Sequence, residues 1–437
     1  MERVSAPFIW SERQPLDPDG YFASIREAPA RSDGQNRWFL FRRDFVLPGD
    51  ARAAEVLVTT DGKYQLFLNG VRLGRGPVRC SPHRQMADRH DLAGHLRSGR
   101  NTIALLVHTY GVDTAAYELV RGHWQPTFGD GALWVQGQAI GDGFARAIQS
   151  DESWRCLESQ AWDRTTPLVN RGLGFIEALD ANLLPQGWTE PGFDDRTWDN
   201  VRILIAGGGG PEARFGGVVT RPFPVMAENP LPALRENDAR PTALVWARGV
   251  APRPDLPIER RVYEEPFEPL SGAALADLAP LLDAVRGVAT VRTAEGQDVC
   301  ALFDFGRILT GRPTVELLAQ GGEIVEFAVS ELLPGEFDPA GPGADARVEA
   351  RPVLGLDAHV SRYVARPGRQ VFEAFEWDAV RWMQVTIRNA PAGLEIPRLG
   401  VTTSGYPVEP RGAFRSSDPF LDRLWLAGRE TLAVCMH

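Results

Sequence analysis

The stretch between residues 177 and 198 concentrates the kinds of side chain that bind sugars. Carboxylates and amides suit paired hydrogen bonds to neighbouring hydroxyls, or oxygen ligation of calcium, and a tryptophan ring can pack against the apolar face of a deoxy sugar. The candidate carbohydrate-binding residues are Glu177, Asp180, Asn182, Trp188, Asp194, Asp195 and Trp198. The alternative is structural: the two neighbouring aspartates cap a turn, and the two tryptophans anchor a loop.

No catalytic residue can be selected from the rest of the sequence. The patterns GxxxxGK[ST], HExxH and GxSxG are missing, and His83, His90 and His95 do not have metal-ligand spacing. Glycoside hydrolysis needs two carboxyl groups about 5–9.5 Å apart. With 57 acidic residues in the chain, spacing alone does not identify such a pair. We therefore assign no catalytic residue and leave the identity of any metal open, with calcium as the candidate and no cofactor required.

Composition narrows the class of partner and the compartment. A net charge of -10 argues against nucleic acid as a partner. A stretch of about 18 apolar residues is missing, which predicts no membrane span, and the sequence MERVSAPFIWSERQ does not resemble a secretory signal. The four cysteines are far apart, which favours free thiols. Together these features predict a cytoplasmic protein, and self-association is left open.

The elements that must position the candidate residues have the pattern of strands. From Trp38 onward, short runs rich in aromatic and β-branched residues alternate with turn residues, as in antiparallel β-sandwiches. Asn69-Gly70 between two such runs predicts a tight hairpin. A second series of strand-like runs follows residue 230, with a short helix predicted over 271–286 and a long loop over 336–355. The tail changes to helical spacing after Ser417-Asp418-Pro419, a helix start.

These changes of pattern predict a mostly β protein of two antiparallel, jelly-roll-like β-sandwich domains followed by one helix. The predicted parts are a lead-in at 1–37, a first sandwich at 38–228, a second sandwich at 229–411, and a linker with a helix at 412–437. The chain stops at His437 inside the helical pattern. We expect either truncation or a gene that stops there.

Several segments, in order, resemble bacterial α-L-rhamnosidases of glycoside hydrolase family 78. The first sandwich contains DGKYQLFLNGVRLGRGPVR, then SDESWRC, then EALDANLLPQGWTEPGFDDRTWDNV. The second contains LFDFGRILTGRPTVELLAQGGEIVEFAVSELL and RPGRQVFEAFEWDAVRWMQVTI. The tail GAFRSSDPFLDRLWLAGRETLAVCMH is similar to the linker and first helix of that family's catalytic (α/α)6 barrel.

The resemblance implies the non-catalytic N-terminal part of an enzyme that removes terminal α-L-rhamnosyl residues by an inverting acid/base mechanism when complete. The catalytic carboxylates of the family lie in the barrel, so none is carried over to this chain, which alone should be inactive. The implied partners are rhamnose-containing glycosides or oligosaccharides and the protein's own C-terminal barrel. The alternative is a stand-alone carbohydrate-binding protein without hydrolase activity.

Overall fold

The computed structural model describes residues 6–11, 35–112, 131–170, 172–205, 213–215, 218–220, 223–282, 287–333 and 359–436. Within these ranges the chain is mostly β, with two α-helices, α1 (Ile258–Glu264) and α2 (Pro419–Cys435). The strands, in chain order, are β1 (Phe8–Ser11), β2 (Arg37–Leu47), β3 (Ala51–Thr60), β4 (Lys63–Leu68), β5 (Val71–Gly76), β6 (Gln85–Asp91), β7 (Gly99–Thr109), β8 (Leu133–Gly141), β9 (Phe144–Gln149), β10 (Arg155–Glu158), β11 (Glu177–Asp180), β12 (Asp199–Ile205), β13 (Ala213–Phe215), β14 (Val218–Thr220), β15 (Met226–Glu228), β16 (Arg235–Ala239), β17 (Ala243–Val250), β18 (Phe267–Glu268), β19 (Leu275–Asp277), β20 (Ala289–Arg292), β21 (Asp298–Ala319), β22 (Ile324–Ser330), β23 (Val360–Val364), β24 (Gly368–Glu373), β25 (Asp378–Arg388) and β26 (Leu394–Gly405).

The chain divides into two compact units. Unit 1 comprises Met1–Phe175 and Leu183–Pro230, and unit 2 comprises Ile176–Asn182 and Leu231–His437. The short segment Ile176–Asn182 joins unit 2 because β11 pairs in parallel with β23. Residues 176–182 fall within the predicted first sandwich at 38–228, because a local pattern does not reveal a partner strand that lies far along the chain.

Unit 1 is an antiparallel sandwich whose two layers meet at β12. One layer runs β6-β3-β8-β1-β12, with β9 beside β8, and the other runs β12-β10-β2-β7-β4-β5. The core between them includes Trp10, Phe39, Phe41 and Trp154, all of which are buried. The predicted hairpin connects β4 and β5, and Asn69 and Gly70 both have positive φ, at 51° and 86°, as its turn requires.

Unit 2 is organised around β21, a strand of 22 residues. Its register breaks between Asp304 and Leu309, so the strand serves two sets of neighbours. The first half pairs with β17 and β25, and the second half pairs with β24 and β26. A bulge of this kind bends a strand and changes its direction, which allows β21 to pair with both sets of neighbours.

One local prediction in unit 2 is wrong. Residues 271–286 do not form a helix in their described part, which has strand β19 and a 3-10 turn at Ala279–Leu282. Pro280 lies within that turn, and proline removes a backbone donor that a longer helix needs. Residues 283–286 and the predicted long loop at 336–355 lie outside the described residues.

A buried arginine joins α1 to the sheet of unit 2. Arg388 of β25 donates hydrogen bonds to Glu326 Oε2 at 2.8 Å, to Glu265 Oε2 at 2.6 Å and to Asp298 Oδ2 at 2.6 Å. Glu265 follows directly after α1, while the other two carboxylates lie on β22 and β21. Arg261 of α1 adds an ion pair to Glu326 at 3.3 Å. Burial raises the pKa of Asp298, an effect opposed by the nearby Arg388.

Replacing Arg388 with Met should destabilise unit 2 by about 3–5 kcal/mol at neutral pH, since buried carboxylates lose their main cation. In the variant the buried Asp298 carboxyl loses the opposing effect of Arg388, so its folded-state pKa lies further above the unfolded value and stability should increase as the pH falls through it. Urea unfolding at neutral and mildly acidic pH measures both effects. Arg369→Met, at an exposed arginine paired with Glu316, is the control. Equal stability of Arg388→Met and wild type would contradict the role of Arg388.

Candidate carbohydrate-binding site

The seven residues predicted to bind carbohydrate do not form one cluster. Glu177, Asp180 and Asn182 belong to unit 2, whereas the remaining four, Trp188, Asp194, Asp195 and Trp198, belong to unit 1. Each group therefore has its own structural setting. Carbohydrate binding by these residues stays a prediction, and their settings indicate which of them could take part.

The group in unit 2 fixes both ends of β11. Glu177 is buried, and its Oε2 accepts a hydrogen bond from the backbone N of Phe375 at 2.7 Å. Asp180 Oδ1 accepts from the backbone N of Asn182 at 2.9 Å and from its Nδ2 at 2.8 Å. The same Nδ2 donates to the carbonyl of Ala365 at 3.2 Å. This is an Asx-type turn, so these polar atoms already have protein partners.

In unit 1 the two tryptophans pack inside a loop. Trp188 and Trp198 are only 7% and 6% exposed, and their ring centroids lie 6.4 Å apart. Trp188 meets Phe67 edge to face at 5.6 Å, and Trp198 meets Phe193 in the same way at 5.6 Å. Protein side chains therefore occupy ring surfaces that a sugar would need, and the structure favours the anchoring role for both.

The anchor that holds this loop is Arg42, which the sequence analysis missed. Arg42 lies on β2 and is fully buried. It donates to the carbonyls of Trp188 at 3.0 Å and Glu190 at 3.2 Å, and pairs with Asp195 and with Asp44, the latter at 2.7 Å. Asp195 thus serves the loop's attachment. No spacing rule marks Arg42, because an arginine within FRRDF reads as an ordinary exposed strand position.

Asp194 is the accessible member of the predicted set in unit 1. Its side chain is 60% exposed and pairs with Arg196 at 2.6 Å. The hydrogen bonds from Arg196 lower the pKa of Asp194 to about 2, so the carboxylate is ionised at neutral pH. In the described ranges no group of three or more His, Cys, Asp or Glu side chains is arranged to hold a metal ion.

A second polar cluster lies under the DGKYQLFLNGVRLGRGPVR motif. The Tyr64 hydroxyl is 2.8 Å from His90 Nε2 and 3.1 Å from Asp88 Oδ2. Asp88 also accepts from the backbone N of Val78 at 3.0 Å and from Asn229 Nδ2 at 2.8 Å. All donors to the carboxylate come from unit 1, so the cluster joins β4, β6 and the segment after β5.

The glycines of the motif are explained by this cluster. A Cβ atom at Gly76 would overlap the Asp88 carboxylate, and one at Gly74 would overlap the His90 ring. Burial raises the pKa of Asp88 and raises that of Tyr64 well above its ordinary value. Burial also lowers the pKa of His90 to about 4. The motif thus packs closely around the Asp88 and His90 side chains of β6.

Residues 49–222 match the family model described as the alpha-L-rhamnosidase N-terminal domain. An alpha-L-rhamnosidase of Streptomyces avermitilis is 25% identical over 240 residues, which are 54% of this chain and 19% of that protein. The GH78 family rhamnosidase of Bacillus sp. GL1 has a similar structure, with a TM-score of 0.74 and 19% identity, covering 100% of this chain and 59% of that one.

A similar fold is also found in the alpha-L-rhamnosidase of Dictyoglumus thermophilum, with a TM-score of 0.56, 17% identity, and coverage of 96% of this chain and 38% of that one. At such identities the structural likenesses show the shared fold. The chain spans 19% of the curated relative's length and 59% of the Bacillus chain. No helix in the described part of the chain is long and apolar enough to cross a membrane.

Replacing Arg42 with Ala should lower the free energy of unfolding of unit 1 by about 3 kcal/mol, since Asp195 and the carbonyls of Trp188 and Glu190 lose a buried donor. Urea unfolding followed by tryptophan fluorescence measures the change. Arg196→Ala removes an exposed arginine from the same loop and should leave the midpoint unchanged. If both variants unfold at the same urea concentration, Arg42 does not anchor the loop.

His90 should make unit 1 sensitive to acid. Its folded-state pKa of about 4 lies below the ordinary 6.5. The associated stability is therefore complete above pH 6.5 and is lost as the pH falls toward 4, by up to about 3 kcal/mol. His90→Gln should unfold with a weaker pH dependence, measured by urea midpoints across this interval. His95→Gln, at an exposed histidine, should behave as wild type; an unchanged dependence in His90→Gln would refute the assignment.

Proposed function

We propose, from the match of residues 49–222 to the alpha-L-rhamnosidase N-terminal domain model, that the chain is the non-catalytic N-terminal part of a rhamnoside-cleaving glycoside hydrolase. Its substrates would be rhamnose-containing glycosides or oligosaccharides. The two β-sandwich units would support a helical catalytic barrel. The observation that carries this proposal beyond the family match is the surface of α2.

Helix α2 presents large apolar side chains to solvent. Leu424 is 58% exposed and Leu432 is 60% exposed, and no residue of this described helix is buried. The helix has an ordinary start, because Asp418 Oδ1 accepts from the backbone N of Phe420 at 2.8 Å. Its C-terminal end contacts β21 through a hydrogen bond from Thr310 Oγ1 to the Val434 carbonyl at 2.8 Å. An exposed apolar helix face of this kind supports packing against further helices.

The proposed reaction is inverting hydrolysis of a terminal α-L-rhamnosyl bond. One carboxylic acid protonates the leaving oxygen while a carboxylate about 6.5–9.5 Å away activates water. We assign neither role to residues described here. One carboxylate group of unit 2, Glu265, Asp298 and Glu326, is buried on Arg388, and buried carboxylates of this kind are not accessible to a glycosidic bond. The barrel would therefore supply both carboxyl groups.

The proposed compartment is the cytoplasm, and the redox state of the cysteines supports this proposal. Each of the four cysteines lies within the described ranges as a thiol, and cysteine thiols are usual in reducing compartments. The alternative function, a stand-alone carbohydrate-binding protein, requires no helical partner. The exposed leucines of α2 favour the accessory role over that alternative.

A hybrid enzyme tests the proposal. This chain replaces the matched part of the Bacillus sp. GL1 rhamnosidase, and hydrolysis of an aryl α-L-rhamnoside is measured. The hybrid should be active, whereas the 437-residue chain alone should not exceed the buffer rate. Substituting both Leu424→Glu and Leu432→Glu should abolish the hybrid's activity, because α2 loses its apolar face.

The matched control substitutes Val46→Glu and Val371→Glu, two valines that are 61% and 60% exposed on strands. It should retain activity, which separates docking by α2 from a general effect of added charge. The proposal is contradicted if the leucine and valine variants are equally active, or if the isolated chain hydrolyses the aryl rhamnoside.

A further inference from the structure

We propose that an open cleft on unit 1, separate from the seven residues considered above, binds a neutral sugar ring. The cleft is lined by Gln35, the run Arg164–Leu168 and Phe175, and has a volume of about 610 Å³. That size falls within the range of small-molecule sites, about 300–1,000 Å³. The inference rests on the proposed function, because it names the ligand class that the N-terminal part of a rhamnosidase would bind.

The lining contains the two kinds of residue that a sugar ring requires. Pro167, Leu168 and Phe175 are apolar, and Leu168 pairs with Phe175 in an antiparallel bridge. Gln35, Arg164 and Thr165 are polar. A pyranose has C–H groups on its faces and hydroxyls around its edge, so it can contact both kinds of residue at once.

The cleft wall is held in place by hydrogen bonds. Asp163 Oδ1 accepts from the backbone N of Thr165 at 2.9 Å and from its hydroxyl at 2.6 Å. The Thr166 hydroxyl accepts from Asn36 Nδ2 at 3.0 Å, and Asn36 Oδ1 lies 2.9 Å from His108 Nε2. A wall fixed in this way does not need to be ordered on binding, which reduces the cost of association.

A stack of aromatic rings supports the wall from inside unit 1. Trp38 lies between His108 and Trp162, with centroid distances of 3.8 Å and 4.5 Å and nearly parallel planes. Phe175 meets His108 and Tyr110 edge to face at 6.4 Å and 6.0 Å. Phe175, an apolar residue of the cleft lining, therefore belongs to a packed aromatic group.

The charges at the cleft favour a neutral ligand over an anion. Arg164 lies 3.8 Å from Glu158, and Glu158 also forms a bidentate pair with Arg37. Asp163 adds a second carboxylate beside the cleft. The charges of these two arginines and two carboxylates balance, so the four groups together give no excess positive charge to attract a phosphate or a uronate. Arg164 Nη2 donates to the Gln35 carbonyl at 3.3 Å. An arginine carries five N–H donors, so its guanidinium can bond a sugar hydroxyl in addition to protein acceptors.

Saturation-transfer NMR on the whole 437-residue chain tests the site, with L-rhamnose as the probe. Wild type should give sugar signals that depend on concentration, and Leu168→Trp, which fills the cleft, should weaken binding by about tenfold or more. Leu183→Trp is the matched control: Leu183 is an exposed leucine of unit 1 that does not line the cleft, and this variant should bind as wild type. Circular dichroism checks that each variant is folded.

A second pair of variants keeps the test decisive if Leu168→Trp does not fold. Arg164→Gln should weaken rhamnose binding, and Arg196→Gln, at an exposed arginine outside the cleft, should not. The site proposal is overturned if wild type gives no rhamnose signal, if the cleft variants bind as well as their controls, or if glucuronate binds more tightly than rhamnose. None of these results affects the hybrid-enzyme assay, so failure of the sugar site is distinguishable from failure of the proposed function.

Discussion

A guanidinium group that is taken out of water must have its donors satisfied by protein acceptors, and in each unit this requirement fixes a segment that lies outside the regular strands. In unit 1, Arg42 on β2 binds the loop that carries Trp188 and Asp195. In unit 2, Arg388 on β25 forms an ion pair with Glu265, the residue that follows α1. Each buried arginine lies on a strand, and its hydrogen bonds fix the position of an otherwise irregular segment relative to that strand.

The same requirement explains why side-chain chemistry alone does not define the role of this loop. Trp188, Trp198 and Asp195 have chemistry that suits sugars, yet the same chemistry also suits attachment to a buried cation and to neighbouring rings. Arg42, to which the loop is bonded, lies about 150 positions earlier in the chain, and no local pattern connects the two regions. Composition thus indicates a chemical capability, whereas the protein partners of each side chain depend on long-range packing.

Features governed by local chemistry were predictable from sequence. The Asn69-Gly70 turn needs two positive φ angles and has them, and Asp418 and Pro419 begin α2 as expected of a cap and a first-turn proline. The helix predicted over 271–286 is wrong because apolar spacing there suits burial against a sheet equally well. The parallel pairing of β11 with β23 was also beyond local reasoning, since it depends on residues nearly two hundred positions apart.

Burial also separates surfaces that could bind a ligand from those that support the fold. The Tyr64, Asp88 and His90 cluster and the Arg388 network hold many polar groups, but these groups satisfy one another and hold strands or α1 in place. The cleft at Arg164 differs because polar and apolar residues line it together, with a packed aromatic stack nearby. Helix α2 differs again, because it exposes large apolar side chains such as Leu424 and Leu432. By these criteria the cleft is suited to a small hydroxylated ligand, and α2 is suited to another helix.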